Sequence, residues 1–360
     1  MATFTAIDAD GHVMEPQSMW TEYLETEFHL DAPRLVRDTD GRRRLLIAGR
    51  LHEYIPMYDG DALPRRERVP RGGADPQGRL ADLDEEGIEK ALLYPTTGLF
   101  FASVEDPRVQ AALCRAYNDW LYDYCGEDRS RLIGVALVPQ ADAGAAVAEA
   151  RRAVERLGFR SVLLRPNPVA GRNLNDPYYE PLWACLQELD VTASIHEGTT
   201  QDLPQSGRDR FTNFLFRHAC SHPHEQQMAC LALICGGVLE RHPRLRVAFL
   251  ESGCGWIAHW LDRLDEHVEH WGHALPALPL APSEYFARQC FISAEPEEKA
   301  IGAMAALVGE DKIVYASDYP HLDSIFPGSP ATLAERSDLS DGLKRKLLYD
   351  NAAAAFRLGG

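Results

Sequence analysis

Several features that mark specialised protein classes are missing from the 360-residue sequence. It has no Cys-x-x-Cys pair, no apolar run approaching the length of a membrane span, and no basic and then apolar segment at its N-terminus. No Gly-x-Gly-x-x-Gly motif follows the first candidate strand, which argues against a dinucleotide-binding fold. We therefore expect a cytoplasmic protein that is neither secreted nor membrane-spanning, whose eight cysteines stay reduced.

Positive charge is also scarce. The chain has 37 Lys and Arg against 54 Asp and Glu, a formal charge of −17 at pH 7, which argues against nucleic acids and anionic membranes as partners. The segment 34–79 is the exception, because it holds 11 Arg against seven acidic residues. It could bind an anionic handle such as a coenzyme A or carboxylate group, although a solvated or subunit-facing surface explains it as well.

The sequence does contain a regular alternation of short β-branched or apolar runs with longer amphipathic runs, which is typical of βα units around a parallel sheet. Eight strands are predicted: Phe4–Asp8, Ala91–Tyr94, Leu132–Val138, Ser161–Leu164, Val191–Ile195, Arg246–Leu250, Cys290–Ser293 and Ile313–Ala316. Helices are predicted at Pro107–Tyr124, Ala143–Leu157, Tyr178–Glu188, Glu225–Arg241, Trp256–His270 and Glu297–Val308. The pattern predicts an α/β fold, a (β/α)8 TIM barrel that occupies residues 1–360 as a single domain.

Two stretches interrupt this repeat. About eighty residues separate the first two strands, and within them a pair of short strands is predicted around an Asp40-Gly41 turn. We interpret residues 29–79 as a flap inserted after strand one, over one end of the barrel. Residues 197–221 lack clear periodicity and are predicted to form a long loop after strand five, at the same end.

Residues of metal-ligand type follow four of the eight predicted strands. Active sites of such barrels are built at the carboxyl ends of the strands, where Asp10 and His12, then His196, Glu251 and Asp318 occur. Alternation along an extended segment points Asp10 and His12 the same way. A turn-capping aspartate and a loop histidine would explain the first pair alone, but the whole set predicts a divalent-metal site.

A dense histidine cluster, His218-Ala-Cys-Ser-His222-Pro-His224-Glu225, ends the second insertion. With Pro223 in the first turn of a helix and Glu225 near its positive end, the cluster is explained as a solvated, helix-capping stretch. If His222 or His224 turns inward instead, that histidine and Glu251 would hold a second ion beside the first.

These motifs resemble the amidohydrolase superfamily, and within it the branch that contains aminocarboxymuconate semialdehyde decarboxylase and related aromatic acid decarboxylases. The resemblance covers almost the whole chain, through Asp10-Gly-His12, His196, Gly236–Arg246, Phe249–Gly253 and Ser317–Pro320. It implies a barrel fold and a divalent metal held by Asp10, His12, His196 and Asp318.

The chain also departs from this branch. The family's decarboxylases have, after strand six, a histidine that acts as acid or base beside the metal, and this chain has Glu251 there. A carboxylate can serve as base or ligand, but it cannot copy an imidazole that titrates near neutrality. The departure weakens the expectation of the family's decarboxylase mechanism.

The candidate ligands are numerous: Asp10, Glu251, Asp318 and Glu15 through oxygen, and His12, His196 and His222 or His224 through nitrogen. One catalytic zinc uses three protein ligands and an open position, so the set predicts a dinuclear centre. This variant resembles the amidohydrolase-fold non-haem di-iron oxygenases of diterpenoid biosynthesis. That resemblance favours two Fe, with Zn or Mn as the alternative.

Three classes of function follow. The favoured one is a di-iron oxygenase that uses O2 to hydroxylate a hydrophobic small molecule, such as an acyl-CoA or carboxylic acid, in secondary or catabolic metabolism. The alternative is a metal-dependent hydrolase or non-oxidative decarboxylase of a small aromatic carboxylic acid, with metal-activated water and Glu251 as base. The third is a non-catalytic barrel that serves as a binding scaffold.

Catalytic roles are assigned to Glu251, Asp318 and His222. Phe100 and Phe101 follow strand two and could line an apolar substrate pocket, or could belong to the core. Arg165 after strand four could bind a substrate carboxylate, or could form a structural ion pair. The expected partners are this small-molecule substrate and a second copy of the chain in a homodimer.

Overall fold

A single eight-stranded parallel sheet organises the molecule. The computed structural model describes residues 4–53, 55, 70–198, 203–322 and 324–359. The strands follow one another in chain order around the sheet. They are β1 Ala6–His12, β5 Ile88–Tyr94, β6 Leu132–Leu137, β7 Ser161–Leu164, β8 Thr192–His196, β9 Arg246–Leu250, β10 Cys290–Ala294 and β11 Ile313–Tyr315. The predicted (β/α)8 TIM barrel is confirmed.

The barrel is closed at the end where the candidate ligands lie. The segment after β11 returns to β1, where the backbone N–H of Asp318 donates to the carbonyl of Asp10 at 2.9 Å and that of His12 donates to Tyr319 at 2.5 Å. On the far side of the barrel, β8 pairs with β9 so that His196 lies opposite Leu250. Glu251 therefore leaves its strand beside His196, at the same level of the barrel.

Helices cover the outside of the sheet. They are α1 Met19–Tyr23, α2 Pro76–Glu86, α3 Pro107–Cys125, α4 Ala143–Glu155, α5 Glu180–Glu188, α6 Phe214–Cys235, α7 Val238–Arg241, α8 Ile257–Trp271, α9 Pro282–Gln289, α10 Ile301–Val308, α11 Ser329–Ala334, α12 Asp341–Arg345 and α13 Asn351–Ala355. Because the outer face of the sheet is covered by helices and its inner face lies in the barrel interior, most strand residues are buried. In β9, for example, residues 247–250 are all buried. None of the described helices is both long enough and apolar enough to cross a membrane.

The predicted flap contains a small antiparallel sheet of β2 Arg34–Arg37, β3 Arg43–Ile47 and β4 Arg50–Leu51. Arg37 pairs with Arg43 across the turn, where Gly41 adopts a left-handed φ of 81°. Residues 54 and 56–69 of the predicted insertion lie outside the described residues, and α2 already begins at Pro76.

Helix α6 differs from the prediction. It begins at Phe214, inside the segment predicted as a loop, because the side chain of Asn213 caps it by accepting from the N–H of Leu215 at 2.9 Å. Pro223 lies in the interior of this 22-residue helix and not in its first turn. A proline inside a helix removes one hydrogen bond and crowds the carbonyl four residues earlier, here that of Ala219. Residues 199–202 of the predicted loop lie outside the described residues.

Candidate metal centre

The residues predicted to hold the first metal come together at the carboxyl ends of the strands. His196 Nε2 lies 3.3 Å from Asp10 Oδ1 and 3.2 Å from His12 Nε2. His12 Nε2 lies 3.4 Å from Asp318 Oδ1. Asp10, His12 and His196 are fully buried and Asp318 nearly so. The structure therefore gathers two imidazoles and two carboxylates around one point.

Backbone carbonyls determine which nitrogen of each histidine faces this point. His12 Nδ1 lies 2.8 Å from the carbonyl oxygen of Pro95, and His196 Nδ1 lies 2.6 Å from that of Glu197. A carbonyl only accepts, so each Nδ1 carries a hydrogen, and in the neutral form of each ring, which is the form that binds a metal, Nε2 presents a lone pair. Two facing lone pairs repel each other unless a cation lies between them. Hydrogen bonds from Nδ1 to backbone carbonyls, like the two described here, typically orient histidines that bind metals.

The carboxylates show the same need for a cation. Neither oxygen of the buried Asp10 carboxylate has a hydrogen-bond partner within the described part of the chain, and neither does Glu251 Oε2. Buried polar atoms in native proteins nearly always have partners, so these atoms require an explanation. Anionic oxygen and neutral imidazole nitrogen suit a divalent cation, so the residues present fit the metal that the sequence predicts.

Glu251 lies between two groups of histidines. Its Oε2 is 3.0 Å from His196 Nε2 and 3.8 Å from His12 Nε2, whereas its Oε1 is 3.2 Å from His222 Nε2. His222 is buried on α6, and its ring packs against that of His218 at a tilt of 34° with 4.2 Å between centroids. Glu251, His218 and His222 form a second group of ligand atoms that lie within 4.8 Å of one another.

His224 is the candidate ligand that the structure does not bring to this site, since it is exposed and contributes to none of the ligand groups in the described residues. Residues four apart share a helix face, whereas residues two apart lie on nearly opposite faces. Once α6 includes residue 218, His218 therefore joins His222, and His224 points away.

His321 belongs to the site although the sequence interpretation did not select it. Its Nδ1 lies 2.7 Å from Asp318 Oδ1, and its Nε2 lies 2.9 Å from Thr96 Oγ1. Its ring packs against that of His12 at a tilt of 30° with 4.0 Å between centroids. The available signal was its position three residues after Asp318, in the motif Ser-Asp-Tyr-Pro-His.

Two site residues have unusual backbones. Glu251 has a φ of 48° and Asp318 a φ of 53°, values that residues with a side chain rarely adopt. Such conformations persist only where the surrounding structure imposes them, and they concentrate at functional sites. Gly11, between the first two ligands, has a different constraint, because a Cβ there would collide with Arg79 and Asp8.

The pKa values reflect how strongly the charges are coupled. Burial alone would lower the pKa of His196, but the carboxylates of Asp10 and Glu251 outweigh it and raise that pKa to about 10. Burial opposes ionisation of Glu251, yet His196 and His222 lower its pKa well below the usual value. An anionic environment that stabilises a charged imidazole would equally stabilise a bound cation.

A cavity of about 430 Å³ lies next to the candidate metal ligands, because Glu251 and His321, which contact those ligands, are part of its wall. It is lined by Ile55, Thr96, Leu99, Phe100, Gly198, Phe214, Leu215, His218, Ala219, His222, Glu251, His321 and Leu322. Phe100 thus lies where the substrate prediction put it. Phe101 does not line this cavity and packs in the core, edge-on to Trp20 with 5.6 Å between centroids.

Arg165 and Glu15 have partners of their own. The Arg165 guanidinium donates to the carbonyls of Leu99 and Gly198 and lies 3.2 Å from the Glu197 carboxylate, which favours the structural ion pair over a substrate contact. The carboxylate of Glu15 accepts from the backbone N–H groups of residues 96–98. Glu15 therefore orders the loop after β5, and it belongs to none of the candidate ligand groups among the described residues.

A (β/α)8 barrel with histidine and carboxylate ligands at the ends of its first, fifth, sixth and eighth strands defines an enzyme of the amidohydrolase type. Residues 7–358 match the model of the Amidohydrolase family, and the chain belongs to this family. The predicted superfamily membership is confirmed.

Two relatives are decarboxylases. The chain is 28% identical over 284 residues to the 2-amino-3-carboxymuconate-6-semialdehyde decarboxylase of Dictyostelium discoideum, covering 77% of this chain and 75% of that one. It is 26% identical over 294 residues to the gamma-resorcylate decarboxylase of Rhizobium sp., covering 78% of this chain and 87% of that one.

Solved structures share the fold over nearly their whole length. An amidohydrolase from Mycobacterium avium subsp. paratuberculosis superposes with a TM-score of 0.81 at 25% identity, covering 100% of both chains. The 5-carboxyvanillate decarboxylase of Novosphingobium aromaticivorans, with bound manganese and a nitrobenzoic acid, superposes with a TM-score of 0.72 at 22% identity, covering 98% of this chain and 97% of that one.

Proposed function

We propose that this protein is a metal-dependent, non-oxidative decarboxylase of an aromatic carboxylic acid. The observation that carries the proposal is the convergence of Asp10, His12, His196 and Asp318 directly behind Glu251 and His321, two residues in the wall of a largely apolar cavity. The decarboxylase relatives support this alternative over the oxygenase that the sequence favoured.

We assign the first metal to Asp10, His12, His196 and Asp318. The manganese in the 5-carboxyvanillate decarboxylase structure supports Mn, with Zn as the alternative, over Fe. A divalent metal bound there would act as a Lewis acid toward the substrate carboxylate and a neighbouring hydroxyl group.

Decarboxylation breaks the bond between a ring carbon and the carboxyl carbon, releases CO2 and places a proton on that ring carbon, with no oxidant or reductant. We assign the proton transfer to Glu251, because this residue lines the cavity and its Oε1 lies 3.2 Å from His222 Nε2. It takes the proton from the substrate hydroxyl or from solvent and gives it to the ring carbon. Loss of CO2 then restores the aromatic ring.

A second candidate, the di-iron oxygenase, has one specific observation in its favour. Glu251 presents Oε2 to His12 and His196 and Oε1 to His222, as a carboxylate bridging two ions would. Hydroxylation of a C–H bond would then consume O2, two electrons from an external reductant and two protons, and yield the alcohol and water. His218 and His222 would hold the second iron.

The experiment that separates the candidates is an anaerobic assay in D2O. Manganese-loaded protein is incubated with 2-hydroxybenzoic acids, and the products are followed by mass spectrometry. We expect CO2 and a phenol with one deuterium at the vacated carbon. A hydroxylated product that needs O2 and a reductant would overturn the decarboxylase proposal. Homodimerisation and a cytoplasmic location remain predictions.

A further inference from the structure

We infer that the cavity selects an aromatic acid with a single carboxylate and an apolar body longer than one ring, and rejects a second carboxylate. The inference rests on the proposed function, since it assumes that one carboxylate is anchored at the metal ligands. It concerns the part of the substrate that extends from that anchor toward the cavity mouth.

The cavity wall divides into a polar floor and an apolar side. The floor carries Thr96, His222, Glu251 and His321, all next to the metal ligands. The rest of the wall is mostly hydrocarbon, from Ile55, Leu99, Phe100, Phe214, Leu215 and Leu322. A ligand that fits this division has its polar groups at one end only.

Charge reinforces the division. Among the described residues that line the cavity, Glu251 is the only one with a full formal charge, and neither lysine nor arginine occurs. Arg165 lies behind the wall, where it holds the carbonyls of Leu99 and Gly198 and pairs with Glu197. Against the described part of the wall, a second carboxylate on the substrate would lose its hydration beside leucine and phenylalanine side chains without gaining a lysine or arginine partner there.

The volume sets the length of the apolar body. At about 430 Å³, the cavity falls within the range of pockets that enclose drug-sized ligands, which is larger than one substituted ring requires. Leu215 marks the outer part of the wall, because it lines the cavity while its residue surface is 67% exposed. An apolar substituent on the side of the ring that faces away from the anchored carboxylate and its neighbouring hydroxyl would therefore reach Leu215.

The test compares three ligands that differ at one ring position: 2-hydroxybenzoate, its 5-phenyl derivative and its 5-carboxy derivative. Their affinities for the manganese-loaded protein are measured by titration calorimetry, which does not depend on turnover. We expect the 5-phenyl compound to bind at least about tenfold more tightly than the parent, a ratio typical of added apolar contact. We expect the 5-carboxy compound to bind at least about tenfold more weakly.

Two matched variants of α6 test whether the wall at Leu215 determines this ligand preference. Leu215→Arg places a cation on the exposed outer wall, and we expect it to improve binding of the 5-carboxy compound about tenfold while weakening that of the 5-phenyl compound. Leu231→Arg is the control, because Leu231 lies on the same helix, is 39% exposed and does not line this cavity.

The inference is overturned if the 5-carboxy compound binds as tightly as the parent, or if Leu215→Arg behaves like Leu231→Arg. The outcomes for the two proposals are separable. If the 5-phenyl compound binds best but no aromatic acid releases CO2, the selectivity stands and the decarboxylase proposal fails. If CO2 is released but the 5-carboxy compound is preferred, the decarboxylase proposal stands and the selectivity fails.

Discussion

Asp8 lies two residues before the candidate ligand Asp10 on β1 and contacts both segments that carry the candidate ligands Asp10 and Asp318. Its carboxylate accepts from the backbone N–H of Ser317 at 3.0 Å, from the Ser317 hydroxyl at 2.6 Å and from the N–H of Asp10 at 3.3 Å. The neighbouring Arg79 donates to the carbonyl of His12 at 2.8 Å. Asp8 thus holds the backbone that positions Asp10 and the strained Asp318, without reaching the metal ligand atoms itself.

We predict that Asp8→Asn weakens manganese binding by about 10- to 100-fold, the usual cost of losing a contact that orients metal ligands. It should also lower the free energy of unfolding by about 3 kcal/mol, because Arg79 loses the anion beside it in the interior. Titration calorimetry at a temperature where circular dichroism shows the variant folded measures the affinity.

The matched control is Asp84→Asn, which removes an exposed carboxylate 2.7 Å from Arg131. It should change the free energy of unfolding by about 1 kcal/mol or less and leave manganese affinity unchanged. If Asp8→Asn is destabilised but binds manganese as tightly as the unmodified protein, Asp8 has no positioning role.

The residues of the candidate metal centre differed in how readily they could be identified from the sequence. Asp10, His12, His196, Glu251 and Asp318 could be selected because each lies at or just after the carboxyl end of a predictable strand. His321 was missed because it lies past the strand end, where the turn after Asp318 brings its ring back onto His12. That turn depends on the left-handed backbone of Asp318. An aspartate in the sequence does not by itself indicate such a backbone.

Helix α6 is the element that shapes the site beyond the barrel strands. It carries His218 and His222, supplies Phe214 and Leu215 to the cavity wall, and is tied to the flap by Arg217, whose Nη1 donates to Glu53 Oε2 at 2.7 Å. Arg217 is buried, whereas the Glu53 side chain is 45% exposed. The position of flap residues 43–53 relative to α6 therefore depends partly on this ion pair.

We predict that Glu53→Gln loosens the flap while leaving the barrel intact. Since Glu53 is substantially exposed, the loss should be about 1 kcal/mol or less, which corresponds to roughly fivefold faster amide exchange. Hydrogen exchange read by mass spectrometry should show this in residues 43–53 and not in the barrel strands.

Glu105→Gln is the comparison variant, because Glu105 lies 3.8 Å from the flap residue Arg50 but its side chain is 93% exposed. It should leave exchange in residues 43–53 unchanged. Equal exchange in both variants and the unmodified protein would show that the Arg217 contact does not hold the flap.

Among the elements, the strands were predictable and α6 was not, for physical reasons. All eight predicted strands occur, since buried parallel strands have short apolar runs bounded by polar or glycine residues. The first turns of α6 expose Leu215 and Phe216, so they show no clean amphipathic pattern. Pro223 then suggested a helix start where the chain has a helix interior.

At the scale of the whole molecule, part of the formal charge of −17 is concentrated at the candidate metal centre. Asp10, Glu251 and Asp318 place part of the negative charge inside the barrel, where a bound divalent cation would neutralise it. Binding that occurs only in the folded state stabilises that state. The metal centre should therefore contribute to the stability of the whole barrel.

We predict that manganese at a hundredfold excess over its Kd raises the free energy of unfolding by about 2.7 kcal/mol. Differential scanning calorimetry should show a higher Tm with manganese than with a chelator. Asp318→Ala should abolish that difference, whereas Asp341→Ala, at an exposed side chain, should preserve it. A manganese-dependent shift that survives in Asp318→Ala would place the ion elsewhere.

The most direct test of the central claim is a titration of metal-free protein with manganese under anaerobic conditions, with CO2 release from an aromatic acid as the readout. We predict that CO2 release rises linearly and levels off at one manganese per chain, with the same rate when O2 is readmitted. Activity that appears only with two irons per chain and O2, or no CO2 at any manganese level, would contradict the assignment.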